Sequence, residues 1–148
     1  MRAVQRAALV AQPPGRMYAL INDVESYPLF VPWCTFARVE ARTAQEVIVT
    51  LGVKRGPLAI EFTTRNVLEP ESRVRMQLER GPFNLLEGTW TLVPIGELGT
   101  RVEFDLRFAF DSRFAAAVFE PVFEETATML VDAFVGRARA MPAAGPAA

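Results

Sequence analysis

The side chains that most often carry covalent chemistry are scarce in this sequence, which has no histidine and a single cysteine, Cys34. Without histidine the chain lacks the usual general base that titrates near neutral pH and every imidazole metal ligand. Cys34 is a candidate nucleophile, but its thiolate would need another cationic neighbour, and a buried structural thiol is the ordinary alternative. A lone cysteine forms no internal disulfide and is compatible with a reducing compartment. We therefore predict a cytoplasmic protein without catalytic residues or a metal site.

Aromatic side chains are the feature of the sequence best suited to non-covalent binding. Given the elements predicted below, many of them point into one interior: Phe62, Trp90, Phe104, Phe108, Phe110, Phe119, Phe123 and Phe134. These side chains can form an ordinary close-packed core with no cavity. Alternatively, a strongly curved sheet can leave an apolar cavity between the sheet and the helix, of the kind that binds small molecules. In the second case Thr64, Asn66 and Thr126 supply the few polar contacts that orient a ligand.

The charged side chains indicate no general affinity for nucleic acid or anionic lipid. The chain has 16 Lys and Arg residues against 17 Asp and Glu residues, for a formal net charge of −1, so only a local cluster can bind phosphate. The basic residues of the predicted β region form either such a cluster or a solvated surface balanced by glutamates. They are Arg38, Arg42, Lys54, Arg55, Arg65, Arg73, Arg75 and Arg80.

Hydrophobic periodicity places these residues in one α+β domain over residues 1–140. The 148-residue length suits a single domain, and no run approaches the ~18 apolar residues of a membrane span or forms a signal-peptide core. Residues 3–10 form a strand and residues 13–22 a helix, and Ser26 caps a second short helix that Pro32 ends. Alternation then predicts strands at about 47–53, 58–68, 74–78, 86–92 and 102–110.

The last predicted element is a long helix that Asp111 and Ser112 begin and that runs to about residue 140. Pro121 interrupts its apolar stripe and predicts either a kink or a fresh start with Pro121 near the first turn. The tail, residues 141–148, has no pattern to pack, and we expect it to be disordered. This element order is typical of a sheet whose apolar face is covered by the final helix.

The segment SYPLFVPWC, residues 26–34, places two prolines, three aromatic residues and the cysteine in nine positions. Its Tyr-Pro-x-Phe-x-Pro-x-Cys pattern resembles the coenzyme Q-binding START-domain family, within the polyketide cyclase-like superfamily. Asn22-Asp23-Val24 is also similar to that family, as are the stretches FTTRN (62–66), GPF (81–83), GTW (88–90) and VFEETATMLVDAF (122–134). The resemblance therefore covers residues 4–139.

This resemblance implies a helix-grip fold, in which a curved antiparallel sheet of about six or seven strands wraps around a long C-terminal helix and leaves an apolar tunnel. The two prolines then stiffen a loop beside the tunnel mouth. In that loop Phe30, Val31 and Trp33 either form the rim or pin the short helix to the sheet. Because the resemblance favours the cavity over a closed core, we expect further ligand-binding residues among the side chains predicted to point inward: Phe62, Thr64, Trp90, Phe104, Phe108, Phe119, Phe123, Thr126 and Leu130.

The resemblance implies two alternative functions. The first is a carrier or chaperone that holds ubiquinone, or a similar prenylated lipid, in support of respiration, with at most transient contact with a membrane. The second is a ribosome association toxin that binds the large ribosomal subunit and blocks subunit joining; among the basic residues of the β region, we expect Arg73 and Arg75 to make that contact. The balanced charge favours the first and predicts no DNA partner. A polyketide cyclase-type enzyme is a third alternative, which needs Tyr18, Tyr27 or Glu61 to point inward.

Overall fold

Seven strands and a long C-terminal helix account for most of the described chain. The computed structural model describes residues 1–142. In chain order its elements are β1 (Arg2–Val10), α1 (Pro14–Asn22), a 3-10 helix (Val24–Leu29), β2 (Cys34–Arg42), β3 (Glu46–Arg55), β4 (Leu58–Glu69), β5 (Arg73–Arg80), β6 (Phe83–Ile95), β7 (Gly99–Phe110) and α2 (Arg113–Ala140). No helix in this part of the chain is long and apolar enough to cross a membrane.

The strands form one antiparallel sheet in the order β1-β7-β6-β5-β4-β3-β2. The alternating patterns are confirmed, because Val102, Phe104, Leu106, Phe108 and Phe110 of β7 are all buried. Register shifts in the β2–β3, β4–β5 and β6–β7 pairs mark bulges, which bend strands and help the sheet to curve. The apolar side chains cover the inner face, which α2 contacts, and the charged side chains cover the outer face. The predicted α+β helix-grip fold is confirmed.

Strand β2 was not predicted separately from the β region that follows the second short helix. It lies at an edge of the sheet, and most of its side chains are at least partly exposed. Two register shifts, between Cys34 and Phe36 and between Val39 and Ala41, break its alternation with β3. A strand with neither a continuous buried face nor a constant period leaves a weak sequence signal.

The second short helix is a 3-10 helix that begins at Val24, before the predicted cap at Ser26. The prediction of Ser26 as its N-cap is therefore wrong. Val24 is buried against Val47 and Val49 of β3, and this anchor sets the start of the helix in place of a polar cap. At its other end, the carbonyl of Tyr27 accepts hydrogen bonds from the Phe30 and Val31 amides, and Pro32 follows.

Helix α2 begins as predicted, since the Ser112 side chain accepts a hydrogen bond from the Ala115 amide at 3.1 Å. It continues through Pro121 to Ala140, so the predicted fresh start at Pro121 is wrong. Proline has no N–H, so the Ala117 carbonyl lacks its helical hydrogen-bond donor. Both Pro121 and Ala117 are exposed, so water can donate to that carbonyl instead. Of the predicted tail, Met141 and Pro142 are described, and residues 143–148 lie outside the described residues.

Polar contacts fasten α2 to one side of the sheet. Arg2 of β1 donates to Glu124 at 2.7 Å, and Arg6 donates to Asp132 at 2.8 Å. The buried Glu120 accepts from the backbone amide of Phe110, at the end of β7, at 3.0 Å. Gln12, just after β1, donates to the Ala138 carbonyl near the end of α2 at 3.1 Å. The β1–β7 side of the interior is therefore closed along the length of the helix.

Candidate ligand-binding site

Two groups of aromatic rings occupy the interior at different levels along α2. Around Phe123 lie Phe62, Phe83, Phe108 and Phe110, with ring centroids 4.7–6.2 Å from that of Phe123; we call this the Phe123 cluster. Around Phe134 lie Tyr27, Phe30 and Trp90, at 5.0–5.1 Å; we call this the Phe134 cluster. Eleven residues of helix separate the two centres, about 16 Å along its axis.

A cavity of about 110 Å³ lies between the two clusters, bounded by the sheet and α2. Its wall is mostly apolar and comes from the sheet, from α2 and from the segment that joins the 3-10 helix to β2. The lining residues are Tyr27, Val31, Trp33, Cys34, Val49, Leu51, Val53, Phe62, Thr64, Asn66, Met76, Leu86, Gly88, Trp90, Phe104, Leu106, Phe123, Thr126, Ala127, Leu130 and Phe134. The aromatic residues thus fill much of the interior and leave a cavity between the two clusters. The two alternatives stated for them, a closed core and an apolar cavity, each describe part of the interior.

Polar groups are few in this wall, and their hydrogen bonds differ. Thr64 and Asn66, on the inner face of β4, are joined by a hydrogen bond of 2.8 Å between the Thr64 hydroxyl and the Asn66 side-chain amide. Thr126 of α2 donates its hydroxyl hydrogen to the Val122 carbonyl at 2.7 Å. Tyr27 donates to the Ile21 carbonyl, and the Cys34 thiol donates to the Phe36 carbonyl at 3.3 Å. The Thr64–Asn66 pair is therefore bonded internally, whereas the other three groups are bonded to backbone.

Both titratable groups in the wall favour their neutral forms. Burial raises the pKa of the Tyr27 hydroxyl well above its usual range. Burial also raises the pKa of the Cys34 thiol, an effect that its hydrogen bond to Phe36 opposes only in part. A neutral thiol is a poor nucleophile and a neutral phenol is a poor base. This wall is suited to binding an apolar molecule more than to transferring a proton.

Most of the ligand-binding residues expected from the sequence meet in this wall. Those that line it are Val31, Trp33, Phe62, Thr64, Trp90, Phe104, Phe123, Thr126 and Leu130. The other three lie outside it. Phe108 belongs to the Phe123 cluster, and the Phe119 ring packs on that of Phe110, with 5.8 Å between centroids. The Phe30 ring contacts that of Phe134, and the Arg137 guanidinium lies 5.3 Å from the centroid of the Phe30 ring. Phe30 thus fastens the 3-10 helix to α2.

Several lining residues were not among those expected, although the alternation of their strands carried the signal. Val49, Leu51 and Val53 occupy the inner face of β3, and Met76 occupies the same face of β5. Gly88 of β6 lies opposite Met76, where a β-carbon would come within 2.7 Å of the Met76 Cε atom. The glycine thus leaves room for Met76 in the cavity floor.

Arg73 and Arg75 lie on the outer face of the sheet, away from the cavity. With Arg101, Thr89 and Thr91 they line an open groove over β5, β6 and β7. Arg73 and Arg75 share one carboxylate, that of Glu69, at 3.8 and 3.2 Å, and Arg101 lies 2.9 Å from Glu103. The two arginines predicted to contact the large ribosomal subunit therefore lie together, in a groove that Arg6, Glu103 and Asp105 also line.

The tyrosines and the glutamate that a cyclase-type enzyme would need are dispersed. Tyr27 lines the cavity, but its hydroxyl is bonded to backbone. Glu61 points from β4 toward Arg38 on the outer face, at 3.9 Å. Tyr18 is half-buried in α1. The expectation that the chain is not an enzyme stays a prediction.

Residues 10–135 match the family described as "Polyketide cyclase / dehydrase and lipid transport". The chain is 38% identical, over 92% of its length and 94% of the relative's, to "Ribosome association toxin RatA" of Pseudomonas aeruginosa. It is 32% identical to "Coenzyme Q-binding protein COQ10, mitochondrial" of Saccharomyces cerevisiae, over 93% of this chain and 70% of that one. These matches confirm the resemblance found in the sequence.

The fold is shared with an enzyme as well as with these relatives. The crystal structure of the Zhui aromatase/cyclase from a Streptomyces species superimposes with a TM-score of 0.82 at 20% identity, covering 93% of each chain. At that identity the likeness shows the fold alone. The match over residues 10–135 and the identity to the full-length relatives show that the chain belongs to the polyketide cyclase / dehydrase and lipid transport family.

Proposed function

We propose that this protein binds a prenylated quinone, most simply ubiquinone, in the cavity between the sheet and α2 and carries it between membranes or enzymes. The observation that supports this most directly is a mostly apolar cavity whose wall contains few polar groups, among them the hydrogen-bonded pair of Thr64 and Asn66. Small-molecule sites commonly combine an apolar wall with a few polar groups that orient the ligand. The relative named a coenzyme Q-binding protein gives independent support.

The volume of the cavity determines which part of the ligand it can hold. At about 110 Å³ it is close in size to the ~150 Å³ engineered cavity that takes up benzene. The volume is on the scale of an unsubstituted ring, so the ring substituents and the isoprenoid tail of a ubiquinone need additional volume. Met76 and Leu130 line the cavity and are flexible enough to move aside for it. Burial of the tail then stabilises the complex by about 25 cal/mol per Å² of apolar surface removed from water.

Native mass spectrometry of the protein purified from its own host tests this function, followed by titration of the stripped protein with ubiquinone. A variant with a blocked cavity, Ala127→Phe, should bind less ubiquinone, because Ala127 lines the cavity. The matched control is Ala117→Phe, the same change at an exposed position of the same helix. Absence of quinone in the native protein, together with failure of the stripped protein to bind it, would contradict the proposal.

A second candidate function is binding to the large ribosomal subunit through the outer face of the sheet, so that subunit joining is blocked. The relatives named ribosome association toxins support it, as does the groove lined by Arg73, Arg75 and Arg101. Glu103 and Asp105 also line this groove, so the local attraction for phosphate comes from Arg73 and Arg75, which share the single carboxylate of Glu69.

Co-sedimentation with purified large subunits tests this second function. The double variant Arg73→Glu/Arg75→Glu should no longer sediment with the subunit, and wild-type binding should weaken as salt is raised. The control, Arg38→Glu/Arg107→Glu, changes the net charge equally at other positions on the outer face. Equal loss in both variants would show a non-specific charge effect, and a wild-type protein that stays in the soluble fraction at low salt would contradict the function itself.

A further inference from the structure

The Thr64–Asn66 pair has hydrogen-bond donors to spare inside an apolar wall. The hydroxyl and the side-chain amide together carry three polar hydrogens. Their one mutual hydrogen bond uses one of these hydrogens whichever way the amide is turned. No other side-chain hydrogen bond involves either residue among residues 1–142, so two hydrogens remain. Both side chains are nearly buried, at 5% and 8% exposure, but no polar atom of either is among the fully buried atoms without a partner, and both residues line the cavity.

The other polar side chains of the wall offer less to a ligand that needs donors. The hydroxyl of Thr126, the hydroxyl of Tyr27 and the thiol of Cys34 each donate their hydrogen to a backbone carbonyl. What these groups retain is the capacity to accept. Apart from the indole N–H groups of Trp33 and Trp90, the donors of the lining side chains are therefore concentrated at one point of β4.

The position of the pair places these donors in the floor of the cavity. On the inner face, Asn66 lies opposite Val47 of β3 and Met76 of β5, and Thr64 lies opposite Val49 and Leu78. All of these neighbours are apolar. A ligand that brings an acceptor to this point can therefore accept a hydrogen bond in apolar surroundings, whereas a ligand without an acceptor would cover the donors and leave them without a partner, at a cost in free energy.

We propose that Thr64 and Asn66 determine which head group the cavity takes, by donating hydrogen bonds to a ligand that presents a carbonyl oxygen. This inference rests on the proposed binding of a prenylated quinone and deepens it. An oxidised quinone ring carries two carbonyl oxygens and no donor, which matches the spare hydrogens of the pair. An unsubstituted hydrocarbon of the same size offers no acceptor and gains only burial. The pair therefore selects carbonyl-bearing rings and orients the ring toward β4, with the tail directed away from the sheet floor.

The test compares two probes that share a tail, decyl-substituted ubiquinone and decylbenzene, by calorimetric titration. The wild-type protein should bind the quinone more tightly than decylbenzene. In the variant Thr64→Val/Asn66→Leu, which keeps the side-chain sizes nearly constant, affinity for the quinone should fall about tenfold, as expected for the loss of one or two hydrogen bonds. Affinity for decylbenzene should not fall, because the wall becomes more apolar.

The control variant is Thr128→Val on the same helix, which should bind the quinone within about twofold of wild type, because Thr128 lies outside the cavity wall and its hydrogen is used by the Glu124 carbonyl. If the double variant loses affinity for both probes alike, the pair has only a structural role and the inference is overturned. It is equally overturned if wild type binds both probes equally well, a comparison that needs no variant. In both of those cases quinone binding itself stands. If wild type binds neither probe, the proposed carrier function fails, and this inference fails with it.

Discussion

At the scale of single residues, Cys34 reports on the cavity. Its side chain is 7% exposed, and burial raises the pKa of its thiol. A raised pKa leaves less thiolate at a given pH, so the reaction rate should keep rising with pH beyond the ordinary titration range of a thiol. We expect the folded protein to react with a disulfide reagent at pH 8 about tenfold or more slowly than the urea-unfolded chain, because reaction requires local opening.

The measurement is the initial rate of thiol modification between pH 7 and pH 10, with and without decyl-substituted ubiquinone. A bound ligand should slow the reaction further, since Cys34 lines the cavity. A rate that equals that of the unfolded chain, or that levels off at the ordinary pKa of a free thiol, would contradict the buried environment described for Cys34.

Gly88 provides a second prediction at the same scale. A β-carbon at this position would lie 2.7 Å from the Met76 Cε and 3.2 Å from the Leu106 Cδ1. Because the first of these atoms is the end of a flexible side chain, Gly88→Ala should be accommodated by movement of Met76 into the cavity. We expect a small change in stability, within about 1 kcal/mol, and weaker ligand binding, measured by thermal unfolding and by titration with decyl-substituted ubiquinone.

The matched control for Gly88→Ala is Gly136→Ala, which makes the same change on an exposed turn of α2. No atom lies within 4 Å of a β-carbon built at Gly136, so this variant should be more stable by about 0.5–1 kcal/mol through helix propensity alone. Its ligand affinity should match that of wild type. An unchanged affinity in Gly88→Ala would show that the space beside Met76 is not used by the ligand.

At the scale of elements, the attachment of α2 differs between its two sides. Toward β1 and β7 the helix is held by Arg2, Arg6, Gln12 and the buried Glu120. Toward β3, the ion pair described between sheet and helix is Arg55 with Glu125, at 2.9 Å. The Nη1 atom of Arg55 is buried there without a hydrogen-bond partner, so this contact is incompletely satisfied. The side facing β3 is therefore the easier one to open.

From this asymmetry we predict that Arg55→Ala speeds ligand exchange. Association and dissociation of decyl-substituted ubiquinone should both accelerate severalfold in stopped-flow measurements of tryptophan fluorescence, since Trp33 and Trp90 line the cavity. The dissociation constant should change less than either rate. Stability should fall by no more than about 1 kcal/mol, as is usual for a partly exposed ion pair.

Arg6→Ala is the control for Arg55→Ala, because it removes an ion pair of similar length, 2.8 Å to Asp132, and similar exposure from the opposite side of the same helix. Exchange rates in this variant should stay at the wild-type values, since the remaining contacts keep that side closed. If both variants accelerate exchange equally, the ligand does not enter preferentially between β3 and α2.

At the scale of the whole molecule, the sequence predicts the layers better than it predicts the space between them. Alternation in β7 is complete from Val102 to Phe110, so the buried face follows directly from the period. The same period cannot distinguish Phe104, which lines the cavity, from Phe108, which belongs to the Phe123 cluster. That difference depends on the level at which α2 crosses the strand, which is a long-range contact.

Contacts between distant parts of the chain explain the other differences. Glu120 is a charged residue in a helix, and its contacts with the Phe110 amide, ten residues earlier, and with Arg2, at 3.5 Å, account for its burial. Gln12 follows β1 in a turn and fastens the end of α2, 126 residues later. Neither role leaves a local pattern. The start of the 3-10 helix at Val24 was missed for the same reason, because its anchor is β3.

Ligand binding should stabilise the molecule as one unit, since the cavity wall is built from six strands, α2, the 3-10 helix and the segment after it. A ligand that binds the folded state alone, at a hundred times its dissociation constant, adds about 2.7 kcal/mol, which raises the melting temperature by about 5–10 °C for a chain of this size. Differential scanning calorimetry with decyl-substituted ubiquinone should show this shift in wild type and in Arg73→Glu/Arg75→Glu, whose changes lie on the outer face. In Ala127→Phe the shift should disappear. A shift that survives in Ala127→Phe but is lost in the arginine variant would place the ligand in the outer groove and contradict a site between the sheet and α2.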